Sequence, residues 1–590
     1  MRKFWASLIL SLLLVALLFS LGITTGHVGL DDWGYTSGCP FVRSGLTFQN
    51  VRRAFCDFGY GAIWMPATFV SYMADVSLFG DDWRVYHAMN VAFHLVNFVI
   101  VMLFVRRMLC LFGLFSKNVA MFAALIGALM WAVHPMRCEA VTWVASRKEE
   151  LWTMFSLLGL MQYVDFVKTG RLPRYLVTAF FFIMACLSKP TAMCFPFLAA
   201  AIHVFAFRRE CARRMFWLVP LFVVSIAVGV VTLHSQSHPT GMIPVDLHEA
   251  SFAWRMLNAC VSLGLYFWYT VFPMGVHIDY LAVFGGWPRD GLLGLCSFSV
   301  VLALFCLFLA KLRGWRSILL FAAASFLFSV GPALGVFGYV NGDQAMADRY
   351  MYFPHIALGF LVAVVIGRCI ELRARLRMIA LFAVLLVAGE VMLAVPVVRS
   401  YENGYAACSR ALSKDPDNWR ALRVVGNEYC AKLDRYGEGV EMLRKSLRLR
   451  PSKNTAESLA YILALKGGTN DFAEVRSLCA VAAGNPACDS GGMMLDALGI
   501  VSMREGKFSD ASRYFDASLR VPGRNHSCDH TLLWLGICLA NMNEDSRALR
   551  ILSRAKRGSN ETVRRKAEHA IKAISSGTVK EESSFDVLSL

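Results

Sequence analysis

Long apolar runs dominate the first 400 residues of this chain, and they constrain its fold more than any other feature. About eleven runs have the length that an α-helix needs to cross the hydrocarbon core of a bilayer. They lie at residues 4–24, 88–105, 119–133, 151–167, 175–188, 191–207, 215–233, 291–310, 317–334, 353–368 and 378–397. Hydrophobic residues make up 57% of the chain, which is too apolar for a soluble protein of this size. The sequence predicts an all-α polytopic membrane bundle.

Basic residues indicate how the bundle is oriented. They cluster in every second loop, beginning before the first run, and such loops are usually cytoplasmic. The first run could be a signal peptide, but its length and the runs that follow favour a retained span. Residues 25–86 then form a long external loop. A span at residues 255–272 would break the charge alternation, so this segment is expected to be an interfacial or re-entrant helix.

Charge and cysteine content exclude several function classes. The formal net charge of +17 comes mainly from basic residues between apolar runs, which indicates topology signals beside anionic lipid rather than nucleic-acid binding. The 17 cysteines include no CxxC pair and no zinc-type spacing with histidine. Cys39 and Cys56 both fall in the first external loop, so a disulfide between them is one possibility.

The composition changes near residue 401, where charged residues become frequent. Pro416, Pro451, Pro486 and Pro522 follow one another at separations of 35, 35 and 36 residues. A period near 34 is typical of tetratricopeptide repeats. We predict a membrane domain at 1–400, four helical hairpins forming an α-solenoid at 401–576 on the external side, and a disordered tail at 577–590. Small residues are expected where paired helices meet closely, at Gly426, Gly439, Gly499, Gly506, Ala511, Gly536, Ala548 and Ala555.

Asp31 and Asp32 stand directly after the first apolar run. A carboxylate at this place, in water at the membrane face, could take a proton from a hydroxyl group. The alternative is a solvated loop start that caps the next helix, because aspartate is a common cap residue. Their position between a span and an aromatic segment favours a functional role.

Three further polar clusters are expected on the same face. Their residues are His134, Glu139, Arg147 and Lys148; then Ser188, Lys189 and Pro190; then Asp348, Arg349 and Tyr350. External basic residues run against the positive-inside trend, and an anionic ligand such as a lipid phosphate would explain them. These basic side chains could instead reach lipid headgroups or pair with neighbours such as Glu149 and Glu150. Asp348 could likewise form an ion pair with Arg349. His134 could be only a helix cap, and no metal-binding cluster is evident.

These clusters, in this order, resemble the GT-C class of polyprenyl-phosphate-sugar-dependent glycosyltransferases. The chain is most similar to the O-mannosyltransferases that combine transmembrane segments with tetratricopeptide repeats, and to their bacterial relatives. The matching segments are Asp31-Asp32-Trp33-Gly34-Tyr35, Trp64-Met65-Pro66-Ala67-Thr68, Leu78-Phe79-Gly80, His87 with His94, His134 to Glu149, Ser188-Lys189-Pro190, Leu265 to Pro273, and Asp348 to Pro354. Met65 replaces a family histidine, which puts any role for that histidine in doubt.

The resemblance implies inverting transfer of a sugar, mannose by analogy, from a polyprenyl-phosphate or dolichyl-phosphate carrier to a hydroxyl acceptor. One carboxylate of the aspartate pair would be the general base, with Asp31 favoured and Asp32 capping or orienting. Cationic residues would stabilise the leaving phosphate, and a divalent cation held by the aspartates stays possible. The residues implied in donor or acceptor binding are Trp64, His134, Glu139, Arg147, Lys148, Lys189, Asp348, Arg349 and Tyr350.

Two other function classes stay open at the level of sequence. The span-end charges could mark the path of a lipid flippase or transporter, although no inverted repeat is evident. The repeats could make the protein a membrane-anchored scaffold. For the enzyme, an acceptor protein or glycan would bind the repeats, and the expected location is the bacterial inner membrane with the repeats in the periplasm, or the endoplasmic reticulum with lumenal repeats.

Overall fold

The chain forms two compact units in its computed structural model, Met1–Lys414 and Asp415–Leu590. The sequence placed its boundary near residue 401, where the composition changes. The structure describes residues 2–29, 31–58, 60, 63–207, 212–236, 251–281, 290–336, 344–372, 376–431, 435–483, 492–521, 528–558 and 560–576. The tail predicted to be disordered, 577–590, lies outside these residues.

The first unit is built from helices. They are α1 Arg2–Ser20, α2 Asp32–Tyr35, α3 Pro40–Arg43, α4 Phe48–Cys56, α5 Pro66–Phe79, α6 Trp83–Leu111, α7 Lys117–Val133, α8 Cys138–Thr142, α9 Arg147–Thr169, α10 Leu172–Ser188, α11 Phe195–Ile202, α12 Val219–Gln236, α13 Phe252–Val271, α14 Gly291–Lys311, α15 Arg316–Val330, α16 His355–Glu371, α17 Leu376–Ser400 and α18 Gly404–Lys414. A two-stranded antiparallel ladder joins β1 Tyr280–Leu281 to β2 Gln344–Met346. The prediction of an all-α class is thus confirmed apart from this short ladder.

Seven segments in the described part of the chain are long and apolar enough to cross a membrane. They are Arg2–Ser20, Trp83–Leu111, Pro190–Phe207, Arg213–Ser235, Gly291–Lys311, Arg313–Ala333 and Arg377–Ser400. An eighth would need α7 and the following Pro135–Thr142 to act together, but this pair is bent by 64°. Helices that could cross a membrane are therefore present, and the predicted number of eleven is not confirmed.

The remaining predicted spans differ from these seven for identifiable reasons. α10 and α16 have 17 residues each, the lower end of the spanning range. α9 is longer, with 23 residues, but four charged residues fill its first turn. α13, predicted to be interfacial or re-entrant, is a 20-residue helix that packs on α14 and is not among the candidate spans. Whether it lies at the interface stays a prediction.

Helix packing in the first unit brings the span ends together. α6 packs against α7 and α9, α9 against α10, and α7 against α16. The contact of α7 with α16 is close because glycines meet there: a Cβ on Gly127 would lie 2.3 Å from the carbonyl oxygen of Gly359. Small residues allow such close approach between membrane helices. The loops after α1, α7, α10 and β2 thereby reach one another.

The second unit consists of four helical hairpins and a closing helix. The helices are α19 Trp419–Ala431, α20 Tyr436–Leu449, α21 Lys453–Lys466, α22 Phe472–Ala483, α23 Gly492–Arg504, α24 Phe508–Leu519, α25 Asp529–Asn541, α26 Asp545–Ala555 and α27 Glu561–Ser575. Consecutive helices pair from α19 to α26, and α27 packs on α25 and α26. Four hairpins are present, and small residues lie at their contacts: a Cβ on Gly499 would lie 2.6 Å from the Phe515 ring. Gly506 is an exception to the prediction, because it has open space around it and a φ of +75° in the turn between two helices.

One expectation about the first loop is wrong. Cys39 and Cys56 are both free thiols, so the possible disulfide between them is not formed. Cys39 is buried in the loop, whereas Cys56 is exposed at the end of α4. Two cysteines in the same loop therefore need not lie close enough in space to form a disulfide.

Candidate active site

Asp31 and Asp32 are adjacent, but their carboxylates have different surroundings. Asp32 is fully buried, and its two oxygens accept backbone N–H groups from Val28, at 3.0 Å, and Ala145, at 2.8 Å. Burial raises the pKa of Asp32 to about 7, although both hydrogen bonds act in the opposite direction. Asp31 is half-buried, and its carboxylate accepts no hydrogen bond from the residues that the structure describes. Asp31 is thus the carboxylate of the pair that is open to a ligand.

The loop of residues 347–354 forms a second wall of the site. The Tyr266 hydroxyl accepts the backbone N–H of Ala347, at 3.0 Å, and donates to its carbonyl oxygen, at 3.2 Å. The Arg137 guanidinium donates to the carbonyl oxygen of Met351, at 2.6 Å, and the Trp131 indole donates to that of Tyr352, at 2.8 Å. Buried side chains from three helical segments therefore hold this loop in place.

Glu139 and Arg349 form a buried ion pair at the base of this loop. The second carboxylate oxygen of Glu139 accepts the backbone N–H of Arg349 at 2.8 Å. The Arg349 guanidinium also lies 5.0 Å from the Trp143 ring centroid and donates to the Tyr350 hydroxyl at 3.0 Å. Such a pair is very unfavourable to break, because removing one partner leaves a buried charge uncompensated.

Lys189 and Glu149 make a second buried ion pair beside the first. The other oxygen of Glu149 accepts the indole N–H of Trp152 at 2.8 Å. The Lys189 ammonium also lies 4.7 Å from the Tyr350 ring centroid, within the range of a cation–π contact. Tyr350 therefore lies between the two cations Lys189 and Arg349.

Lys148 differs from these cations because it has no ion pair among the described residues. It is buried in the first turn of α9, ahead of the apolar stretch 151–167, and its ammonium lies 4.7 Å from the Tyr35 ring centroid. Burial lowers the pKa of Lys148 to about 8, and Asp31 is the charged group that opposes this most strongly. Lys148 and Asp31 thus share one corner of the site.

Arg147 takes a structural position instead. It is fully buried and donates to Asp75, at 2.5 Å, to the amide oxygen of Asn90, at 2.8 Å, and to the carbonyl oxygen of Tyr86, at 3.0 Å. Its guanidinium also packs over the Tyr72 ring, at 4.3 Å. These contacts tie α5, α6 and α9 together and occupy the donors that a phosphate would need.

The remaining candidates surround this core in different ways. One alternative paired Asp348 with Arg349, but Asp348 instead accepts a hydrogen bond from the Tyr280 hydroxyl at 3.1 Å. Burial, and secondly the charge of Glu139, raises the pKa of Asp348 well above its usual range. His134 caps the turn at residues 135–137 by accepting the N–H of Met136, which confirms the cap. Trp64 donates to the carbonyl oxygen of Phe55 at 3.1 Å.

Several side chains of the site escaped prediction from the sequence. Asp75 pairs with Arg147. Tyr266 holds the 347–354 loop, and Tyr280 donates a hydrogen bond to Asp348. Tyr35 lies against Lys148. Tyr35 and Tyr266 lie in the segments that match the family, which could have pointed to them. Asp75 stands within an apolar helix, a signal in itself because buried carboxylates need partners.

The aspartate pair does not offer two free carboxylates to a metal. Both oxygens of Asp32 accept backbone N–H groups, so only Asp31 could contribute freely. In the described part of the chain, no group of three or more histidine, cysteine, aspartate or glutamate side chains has the arrangement of a metal site. A divalent cation between the two aspartates stays untested, and the geometry does not favour it.

Comparison with known proteins relates the chain to glycosyltransferases. No family model matches it. A curated protein O-mannosyl-transferase of Caenorhabditis elegans is 24% identical over 317 residues, which are 51% of this chain and 42% of that protein. The chain therefore matches less than half the length of this relative. The likeness supports a glycosyltransferase at the level of a distant family.

A structural comparison adds little. The crystal structure of yeast Tom70 aligns with 80% of this chain and 96% of that chain, at 11% sequence identity and a TM-score of 0.21. A TM-score this low carries no argument about the fold. The helical hairpins of the second unit therefore rest on their own observed geometry.

Proposed function

We propose that this protein is an integral membrane glycosyltransferase of the GT-C type. It moves a sugar, mannose by analogy, from a polyprenyl-phosphate or dolichyl-phosphate carrier to a hydroxyl group, with inversion at the anomeric carbon. The reaction takes place at the external face of the membrane, which is periplasmic or lumenal according to the host. The distant likeness to an O-mannosyl-transferase and the membrane-crossing helices support this proposal.

One observation carries the proposal: the Asp31 carboxylate and the Lys148 ammonium lie in one corner of the site without hydrogen-bond or ion-pair partners in the described residues, whereas the neighbouring charged groups are paired. Asp31 accepts no hydrogen bond and Lys148 has no ion pair within the described residues. Arg349 and Lys189 are each neutralised by a glutamate. A base for the acceptor and a positive charge for a leaving phosphate are what transfer from a lipid phosphate requires.

The proposed step is a single displacement. Asp31 takes the proton of the acceptor hydroxyl, and the acceptor oxygen bonds to the anomeric carbon. The bond from that carbon to the phosphate oxygen breaks, and the lipid phosphate leaves with the electron pair. Lys148 stabilises the charge that develops on the phosphate, in a site where burial strengthens electrostatic interactions.

The paired residues are assigned to binding and positioning in this proposal. The Glu139–Arg349 and Lys189–Glu149 pairs hold Tyr350 in place, so that its ring and hydroxyl contribute to the binding of the donor. Arg147 positions α9, and with it Lys148. The helical hairpins of the second unit bind the acceptor protein, since stacked helical hairpins commonly form extended binding surfaces.

Sugar transfer by the purified full-length protein in detergent tests the proposal. The donors are polyprenyl-phosphate-mannose and other sugars on the same carrier, and the variants are Asp31→Asn and Lys148→Met. Asp81→Asn and Lys117→Met make the same chemical changes at exposed positions and serve as matched controls. We expect Asp31→Asn to reduce turnover by about 100-fold or more at an unchanged unfolding temperature. Lys148→Met should raise KM for the donor or lower kcat.

Two results would contradict the proposal. Turnover of Asp31→Asn at the wild-type rate would remove the proposed base. Absence of turnover with every donor, from folded protein that still binds the lipid carrier, would favour a scaffold or a flippase instead. Lipid movement across vesicles, without sugar release, would then identify the flippase.

A further inference from the structure

Glu150 is a buried acid that the proposed transfer does not use. It lies in the first turn of α9 and is fully buried, yet neither carboxylate oxygen has a hydrogen-bond partner among the described residues. The neighbouring Arg147 is engaged by Asp75. A buried carboxylate without hydrogen bonds or a counter-charge is strongly unfavourable. Either a proton or a bound cation must neutralise it.

Among the described residues, two neighbours of Glu150 also carry a buried oxygen atom without a partner, Asn97 Oδ1 and Thr153 Oγ1. The Asn97 amide nitrogen donates to the carbonyl oxygen of Glu150, at 3.0 Å, and to the Tyr352 hydroxyl, at 3.2 Å, which fixes Oδ1 as the atom left over. Thr153 follows Glu150 by three residues on α9, so the two side chains are neighbours on one helix face. Burial, then the Glu150 carboxyl, raises the pKa of Tyr352, the residue whose hydroxyl accepts the Asn97 amide N–H.

The atoms left over are all oxygens, and they carry one negative charge in total. Carboxylate, amide and hydroxyl oxygens suit hard cations. A single carboxylate balances a monovalent ion, whereas calcium sites commonly combine more ligands and more charge. We propose that Glu150, Asn97 and Thr153 bind a small monovalent cation, of which Na⁺ is the probe.

A cation at this place would connect two helices of the membrane unit. Asn97 belongs to α6, and Glu150 and Thr153 belong to α9. The ion would neutralise Glu150 and give the three side chains a common ligand. Because a ligand that binds only the folded state stabilises it, binding should appear as a rise in unfolding temperature. This effect does not depend on sugar transfer.

Thermal unfolding of the purified full-length protein, followed by tryptophan fluorescence, tests the site. NaCl, KCl and choline chloride are compared at equal ionic strength, and NaCl is then titrated. We expect saturating Na⁺ to raise the midpoint by roughly 2 °C or more over choline. The isosteric Glu150→Gln should lose this difference, and Thr153→Val should need about tenfold more Na⁺, a change that Thr153→Ser reverses.

The matched control is Asp165→Asn, on the same helix, because Asp165 already pairs with Arg107. This variant should keep the Na⁺ effect. Equal midpoints of the wild type in the three salts would overturn the proposal and leave a protonated Glu150 as the explanation. A Na⁺ effect of wild-type size in both Glu150→Gln and Thr153→Val would also overturn it, because the ion would then bind elsewhere. If Glu150→Gln does not fold, the comparison of Thr153→Val with Thr153→Ser decides.

Discussion

At the scale of single residues, burial separates side chains of the same type. Asp31 and Asp32 are neighbours in the chain, yet backbone N–H groups hold both oxygens of Asp32 and none in the described residues holds those of Asp31. The lysines of the site differ in the same way: Lys189 is paired with Glu149, whereas Lys148 has no ion pair within the described ranges. In the proposed function, these two open groups are the ones that act on the substrate.

The buried Asp32 predicts a specific pH dependence of stability. Its pKa of about 7 lies above the usual value of 3.8, so the folded state binds its proton more tightly than the unfolded state. Its contribution to stability is complete below about pH 4 and is lost as the pH rises to about 7. Relative to Asp32→Asn, the wild type should lose up to about 1.4 kcal/mol of unfolding free energy per pH unit in this window.

Thermal unfolding of both proteins in detergent, at a series of pH values, measures this difference. The comparison with Asp32→Asn is needed because other groups titrate in the same range. Asp31→Asn is the matched comparison and should keep most of the pH dependence, because burial is the largest cause of the raised pKa of Asp32 and the charge of Asp31 contributes less. Parallel curves for the wild type and Asp32→Asn would contradict the prediction.

At the scale of elements, close contacts between helices depend on glycine. In the hairpin of α19 and α20, a Cβ on Gly439 would lie 2.6 Å from the carbonyl oxygen of Gly426 and 2.3 Å from Cys430 Sγ. Gly437, on the same helix, has open space around the corresponding position. The same residue type therefore has a packing role at one position and none at the other.

This difference predicts opposite effects of one substitution. Gly439→Ala should destabilise the second unit by about 1–3 kcal/mol, because backbone must move to admit the methyl group. Gly437→Ala should stabilise it by about 0.5–1 kcal/mol, because alanine loses less conformational entropy in a helix. Chemical unfolding followed by circular dichroism measures both. Similar effects of the two substitutions would argue against the observed hairpin contact.

At the scale of the whole molecule, the chain combines a unit rich in long apolar helices with a unit of helical hairpins. Seven segments of the first unit can cross a membrane, and the second unit has its own core around residues such as Leu443, Leu459 and Phe515. The proposed reaction needs the loops after α1 and α10 on the external side. The alternation of basic loops predicts this orientation.

Two positions in the first unit allow a test of this orientation. Cys56 is an exposed free thiol in the predicted external loop, and Lys117 is exposed in a predicted cytoplasmic loop. In sealed vesicles with the external face outward, a membrane-impermeant maleimide should modify Cys56. In a Cys56→Ser background, Lys117→Cys should react only after permeabilisation. Mapping the modified peptides by mass spectrometry separates these sites from other cysteines, and the reverse pattern would contradict the topology.

Local sequence patterns accounted for the elements and for the inventory of charged groups. Apolar runs predicted the membrane helices, and a proline period near 35 predicted the helical hairpins, because both depend on residues close together in the chain. The predicted number of spans was not confirmed, since α7 is followed by a bend and α9 starts with charged residues. Length and hydropathy do not show such bends.

The pairing of the charged groups was decided only by the tertiary structure. Glu139 pairs with Arg349, Glu149 with Lys189, and Asp32 with the backbone of Ala145, so each partner is distant in sequence. In a buried site of low dielectric, a charge is stabilised by whichever partner the packing brings within contact. The sequence by itself therefore determined the long apolar helices, the helical hairpins and a set of candidate site residues. The packing of α1, α6, α9 and the 347–354 loop decided that Asp31 and Lys148 stay open.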